Sequence, residues 1–226
     1  LVPPSPRGSV PGDCVFVPAR GANAVEVVAR WVVDELPQRL RLDPCTDIQV
    51  LAPLTRSVAA LNERLQARLN PRRPSVPERP HGALALRVGD RVIQTANEYR
   101  LQVFNGETGQ VVSIDAGGGI TVDYGDRRVA YGAGDLYHLD HAYALTVHRA
   151  QGSEWPAVVV VLTQADAPLL SRPLLYTALT RAKRCAVLVG EPQAYARAAA
   201  EAESTARYTG LVELLTAGES GEAHGR

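Results

Sequence analysis

The stretch 143–162, YALTVHRAQGSEWPAVVVVL, sets two textures side by side. Thr146, His148, Arg149, Gln151, Ser153 and Glu154 fall within nine positions, and the apolar run AVVVVL (157–162) follows almost at once. A short, unbroken, valine-rich run is the pattern of a strand buried on both faces. Polar side chains leading directly into such a strand are held on a rigid support, where binding and catalytic groups concentrate.

The neighbouring segments extend the pattern. Upstream, DCVFVPA (13–19) is a short β-run. In NAVEVVARWVVDELPQRL (23–40), Val25, Val28, Trp31, Val32 and Leu36 recur at helical spacing. DIQVLAP (47–53) is a buried-type strand and SVAALNERLQARLN (57–70) an amphipathic helix, stopped by PRRPSVPERPHG (71–82). Downstream, helix is predicted over HAYALTVHRAQG (141–152) and SRPLLYTALTRAKR (171–184), with strands at AVVVVL and AVLVG (186–190). A last Ala-rich helix is predicted over 192–210, leading into LVELLTA (211–217). Strands alternating with helices predict an α/β domain with a parallel sheet. Between them, residues 84–139 change character: short β-runs are cut by NGETG, DAGGG and YGD, the texture of a small antiparallel barrel. The predicted organisation is a linker (1–12), one discontinuous α/β domain (13–82 and 139–216), a barrel insert (83–138) and a tail (217–226).

Composition removes several function classes. The 226 residues carry no net charge, so no global basic field advertises nucleic-acid binding, although a local groove remains compatible. Three scattered cysteines form neither a disulfide framework nor a paired-Cys zinc site, and a cytoplasmic setting is expected. No segment has the length of a membrane helix, and no membrane partner is expected. The chain begins at Leu1 and contains no Met, which makes a fragment of a longer protein the expectation. Its one lysine, Lys183, sits in TRAKRC, so the Gly-Lys-Ser/Thr ending of a phosphate-cradling P-loop is nowhere in the chain. Asp34 and Glu35 in WVVDEL mimic an acidic magnesium-binding strand end, but helical spacing and the following Pro37 predict a helix end with two solvated acids. His81, His138, His141 and His148 lack metal-ligand spacing; His138 and His141 are expected as a surface pair, and no metal site is predicted.

LTVHRAQGSEW with AVVVVL, then LLYTALTRAKRCAVLVG, resembles motifs V and VI of superfamily 1 DNA helicases, and within them the RecD-like branch. DIQVLAPLTR with LNERLQARLNP resembles motif IV, and GDRVIQTANEYRLQVFNGETGQVV the start of the SH3-like barrel that this branch inserts into its second motor domain. The resemblance implies a RecA-like parallel sheet, P-loop NTPase-type but without the P-loop, carrying an SH3-like β-barrel. It implies the C-terminal motor half of an ATP-dependent helicase tracking 5′ to 3′ on single-stranded DNA. ATP with Mg2+ would be held mainly by an N-terminal RecA-like domain of the same protein. Arg181 then occupies the arginine-finger position, with Arg56 as a second catalytic cation. Gln151, Gly152, Glu154 and Thr180 fall near the nucleotide, and Thr146, His148 and Arg149 near DNA. The family usually has Lys-Ser where Arg149 and Ala150 stand, so the charge is kept and a hydroxyl lost. It also has a longer, Gly-containing segment where this chain has LTRSVAA, which bears on Arg56.

The residues leave alternatives open. Arg181 also suits a helix-surface salt bridge. In NEYRLQVFNGETG, Asn97, Tyr99, Phe104 and Asn105 suit either a tight turn with a core aromatic or a stacking surface for a DNA strand. At the level of the whole chain, a non-catalytic nucleic-acid-binding remnant or adaptor competes with the motor reading. A third alternative is the same motor half serving a relaxase, a nuclease complex or an RNA helicase.

Overall fold

The computed structural model describes residues 14–201. The predicted linker, the end of the last helix, LVELLTA and the tail lie outside the described residues. The elements in chain order are β1 (Cys14–Pro18), α1 (Ala22–Arg30), a π-helical turn (Trp31–Glu35), α2 (Leu36–Leu40), β2 (Ile48–Ala52) and α3 (Thr55–Leu69). Next come β3 (Glu78–His81), β4 (Leu84–Arg87), β5 (Arg91–Gln94), β6 (Thr108–Ile114), β7 (Ile120–Asp123), β8 (Arg128–Tyr131) and β9 (Leu139–His141). Then follow β10 (Ala144–Thr146), β11 (Trp155–Leu162), α4 (Arg172–Leu179), β12 (Ala182–Gly190) and α5 (Pro192–Ala200).

Five strands form one parallel sheet in the order β1-β12-β11-β2-β10. β11 shows why it is the centre. Ala157, Val159 and Val161 face one core with α1 and α3, whereas Val158, Val160 and Leu162 face the other with α4 and α5. Side chains alternate across a strand, so only an all-apolar run can feed two cores at once. This is the expected RecA-like α/β arrangement. The segment between α3 and β10 is antiparallel: a β3-β4 hairpin, and a five-stranded sheet β8-β7-β6-β5-β9 around its own core of Leu86, Val92, Val111, Ile120, Val122 and Tyr131.

Four local predictions are corrected. Residues 141–152 are not helical: β10 pairs in parallel with β2, Ala144 opposite Val50 and Thr146 opposite Ala52, and turns follow. Pairing with β2 buries Ala144 in one core and Leu145 in the other, and this tertiary context overrides the local helical pattern. The helix before AVLVG stops at Leu179, because Ala182, Lys183 and Arg184 already belong to β12 and Ala182 pairs with Trp155. Pro37 does not end its helix. The π turn lets the Leu36 amide donate to the Trp31 carbonyl, and the wide turn absorbs the amide that proline lacks. Asp34 and Glu35 pair on that surface with Arg68 at 3.0 Å and Arg39 at 2.7 Å. His138 and His141 are not a surface pair, since His141 is buried between α3 and the antiparallel segment.

Antiparallel segment and parallel sheet meet at one buried carboxylate. Asp90 is 0% exposed and accepts from Gln66 Nε2 (2.6 Å) and Asn70 Nδ2 (2.7 Å) on or next to α3, from the Arg87 amide (2.8 Å) and from the Tyr143 hydroxyl (2.9 Å). His141 Nε2 lies 3.4 Å away. Burial pushes the Asp90 carboxyl up, but the bonds from His141, Asn70, the Arg87 amide and Gln66 together outweigh it and hold the group below the usual carboxylate range. Beside it the buried Arg91 guanidinium donates to the Ile48 carbonyl and to Gln49 Oε1, both at 2.9 Å, tying β5 to β2.

Candidate nucleotide- and strand-facing site

The polar stretch after β10 is a chain of turns that crosses the sheet from one edge to the other. It leaves the C-terminal edge at Thr146 and enters β11 at Trp155, which is the N-terminal edge. The Arg149 amide donates to Thr146 Oγ1 (3.3 Å), the Ala150 amide to the Thr146 carbonyl (3.2 Å) and the Gln151 amide to the His148 carbonyl (3.2 Å). Gly152 has φ +87°, a left-handed conformation that glycine takes without a Cβ penalty, and the chain reverses there. Ala150 is fully buried in the core shared with α4 and α5, so it offers neither side chain nor backbone to a ligand. His148, Arg149, Gln151, Gly152 and Glu154 are exposed, and Thr146 is half-buried.

At the N-terminal edge the loop meets Arg181, which occupies the turn between α4 and β12 rather than a helix surface. Its guanidinium is half-buried and each nitrogen makes one bond: Nη1 donates to the Ser153 carbonyl, Nε to the Thr177 carbonyl and Nη2 to Thr180 Oγ1, each at 3.2 Å, which leaves one N–H on each Nη. The Arg181 carbonyl in turn accepts from the Trp155 amide (2.9 Å). Arg181, Thr180, Ser153 and the base of β11 therefore form one hydrogen-bonded unit. Glu154 stands beside it, 3.7 Å from Lys183 Nζ, both side chains more than half exposed.

Arg56 is elsewhere. It lies in the first turn of α3, past the C-terminal end of β2, and its Nη2 donates to the Ala165 carbonyl at 2.6 Å. Arg181 is thus anchored just before β11 and Arg56 just after it. β11 has eight residues, roughly 20 Å or more at about 3.3 Å per residue. The structure brings Arg56 to the edge of Thr146 and Arg149 and not to that of Arg181. Arg56, Ser57, Gly21 and Thr163 line a cavity of about 320 Å³ at this edge, where parallel sheets usually take ligands. Thr55, Asn62, His81, Asp140 and Arg149 line a second, of about 630 Å³, between α3 and the β3-β4 hairpin.

The remaining predicted residues sit on the antiparallel segment, between β5 and β6. Phe104 to Glu107 form a turn closed by the Glu107 amide donating to the Phe104 carbonyl (3.1 Å). The aromatics are not core: Tyr99 is 74% and Phe104 45% exposed, with ring centroids 6.2 Å apart, edge to face. Asn97 organises them, accepting from the Asn105 amide (2.9 Å) and donating to the Tyr99 hydroxyl (3.3 Å). The Asp90 cluster escaped sequence reading altogether, because Gln66, Asp90 and Tyr143 share no spacing or motif.

Among the described residues no three His, Cys, Asp or Glu side chains converge as a metal-ligand group. No described helix is long and apolar enough to cross a membrane.

Two family models match the chain. The UvrD-like helicase C-terminal domain covers residues 141–189, which include the crossing loop and Arg181, and the SH3 domain of ATP-dependent RecD-like DNA helicases covers residues 61–124. The ATP-dependent RecD2 DNA helicase of Deinococcus radiodurans is 42% identical over 173 residues, covering 75% of this chain and 24% of that protein. The RecBCD enzyme subunit RecD of Mycolicibacterium smegmatis is 40% identical over 128 residues, covering 57% of this chain and 22% of that one. The chain thus spans about a quarter of the length of these relatives. Among solved structures, the Pif1 helicase from Bacteroides superposes with a TM-score of 0.53 at 16% identity, covering 90% of this chain and 55% of that one, a likeness of fold. With both family models falling on the geometry described above, the chain is the C-terminal portion of a RecD-like DNA helicase, a UvrD-like helicase C-terminal domain carrying a RecD-type SH3 domain.

Proposed function

We propose that this portion senses the nucleotide at one edge of its parallel sheet and grips single-stranded DNA at the other, with the loop 146–154 joining the two. In the complete protein it would work as one half of an ATP-driven motor, expected to move 5′ to 3′. ATP is the substrate, and an N-terminal RecA-like domain of the same protein would hold it together with any Mg2+. The Bacteroides Pif1 structure contains ADP-AlF3 and single-stranded DNA, ligands of the kind this reading assigns to the motor.

The observation that carries the reading is the engagement of Arg181. Its planar, always-charged fork is positioned by the Ser153 and Thr177 carbonyls, so it is presented in one orientation. A guanidinium so placed stabilises charge on a transferring phosphoryl group bound by a neighbouring domain, a role worth about 10³–10⁵ in rate. Thr180 fixes the same fork, Gly152 lets the loop reverse, and Gln151 and Glu154 stand exposed beside it for nucleotide coupling. Thr146, His148 and Arg149 at the opposite edge supply donors for DNA phosphates. Arg56 goes with this second group, because it is anchored at the far end of β11 from Arg181. Asn97, Tyr99, Phe104 and Asn105 supply a stacking surface on the SH3 domain.

In the full-length protein, Arg181→Ala lowers DNA-stimulated ATP turnover by about 10³ or more while single-strand affinity stays within about twofold. Turnover close to the parent's overturns the assignment. Arg56→Ala has the opposite signature, weaker DNA binding with maximal turnover nearly kept.

A further inference from the structure

Arg149 does not stand free at the strand-facing edge. Its Nη1 is 3.0 Å from Asp140 Oδ2, with the two side chains 41% and 48% exposed. Asp140 lies in β9, opposite Ile93 of β5, and so belongs to the antiparallel segment, whereas Arg149 belongs to the loop crossing the parallel sheet. Both line the 630 Å³ groove between α3 and the β3-β4 hairpin, together with Thr55, Asn62 and His81. The same lining carries a guanidinium, a hydroxyl and an imidazole, groups that suit a sugar–phosphate backbone, beside two carboxylates, Glu63 and the Asp140 held against Arg149.

We propose that this groove takes the backbone of a single strand and that Asp140 competes with the strand's phosphate for Arg149. The proposal rests on the reading of Arg149 as a strand ligand and adds the groove and the competitor. An ion pair this exposed is weak, so little opposes its exchange. A phosphate offers the same fork a better partner, with two oxygens in bidentate geometry and release of condensed counterions. While the groove is empty, Asp140 keeps Arg149 paired across the junction of the two segments. Once a strand enters, the pair opens and Arg149 turns to phosphate.

The test is a double-mutant cycle in the full-length protein, with a fluorescein-labelled oligo-dT titrated by anisotropy at fixed salt and without nucleotide. Four proteins are compared: parent, Asp140→Asn, Arg149→Ala and the double variant. Thermal melting checks that each is folded, as expected for substitutions at half-exposed positions. Asp140→Asn is expected to tighten binding about two- to fivefold when Arg149 is present, and distinctly less when Arg149 is Ala. Equal tightening in both backgrounds would reduce Asp140 to long-range repulsion and overturn the proposal. Failure of the parent to bind the oligonucleotide, or a silent Arg149→Ala, would strike the functional reading itself.

Discussion

Asp90 is the residue on which the junction of the two segments depends most, a fully buried carboxylate with protein donors from α3, from its own turn and from Tyr143. Its folded pKa is depressed. A depressed carboxylate stabilises the fold above its unfolded value, near 3.9, and that contribution is lost as pH falls through the folded value. Asp90→Asn keeps the shape but removes the charge and one acceptor. It is expected to cost about 1–3 kcal/mol at pH 7 and to flatten the loss of stability below about pH 4. Urea unfolding at pH 7 and at pH 3 measures both. A variant as stable as the parent at pH 7 would show that the hydrogen bonds around Asp90 are not worth their geometry.

At the scale of elements, the central pair β11-β12 shifts register once, between Trp155 and Ala157, and from there stays in register to its last residue, where Leu162 lies opposite Gly190. Gly190 has φ +146°, and a Cβ built there would overlap the Leu162 backbone carbonyl. Two backbones approach too closely for any side chain, so Gly190→Ala must push the ends of β11 and β12 apart. A loss of about 3 kcal/mol or more is expected, of the order reserved for strain at a special backbone position. A lower midpoint in thermal unfolding reads it, and an unchanged midpoint rejects the close approach. The loop 146–154 depends on the same strand, because β11 sets the distance between its two ends.

For the whole molecule, the exposed Tyr99–Phe104 pair is separate in chemistry from the edge proposed to grip phosphates. Stacking on a base is worth about 1–3 kcal/mol and is indifferent to salt, whereas each phosphate contact steepens the salt dependence. Tyr99→Ala with Phe104→Ala is therefore expected to weaken oligo-dT binding by about tenfold or more while leaving the slope of log affinity against log salt unchanged. Arg149→Ala should lower that slope by about one. If the aromatic double variant binds like the parent, the SH3 surface is not part of the strand's path.

Much of this was legible in residue order alone. Valine runs without alternation announced a sheet buried on both faces, and helical spacing between them announced parallel crossovers. TVHRAQGSEW and TALTRAK carried the family resemblance, and the Asn105–Gly106 turn was read from its residue pair. Local pattern misled where a long-range partner was available: residues 144–146 became a strand because β2 had an open edge, and 182–184 because Trp155 and its neighbours were there to pair. Nor did pattern reveal that Tyr99 and Phe104 face outward while His141 is buried, since burial depends on what packs opposite. The sequence by itself determined the kinds of elements, their order and the chemical groups available, because these follow from local periodicity and residue type. Only the tertiary structure decided that Arg181 and Arg56 stand at opposite ends of β11, that Asp140 reaches Arg149, and that Asp90 gathers Gln66 and Tyr143. The contacts among these join residues from 9 to 53 positions apart, and the direction of each strand and crossover, not spacing along the chain, sets which edge they share.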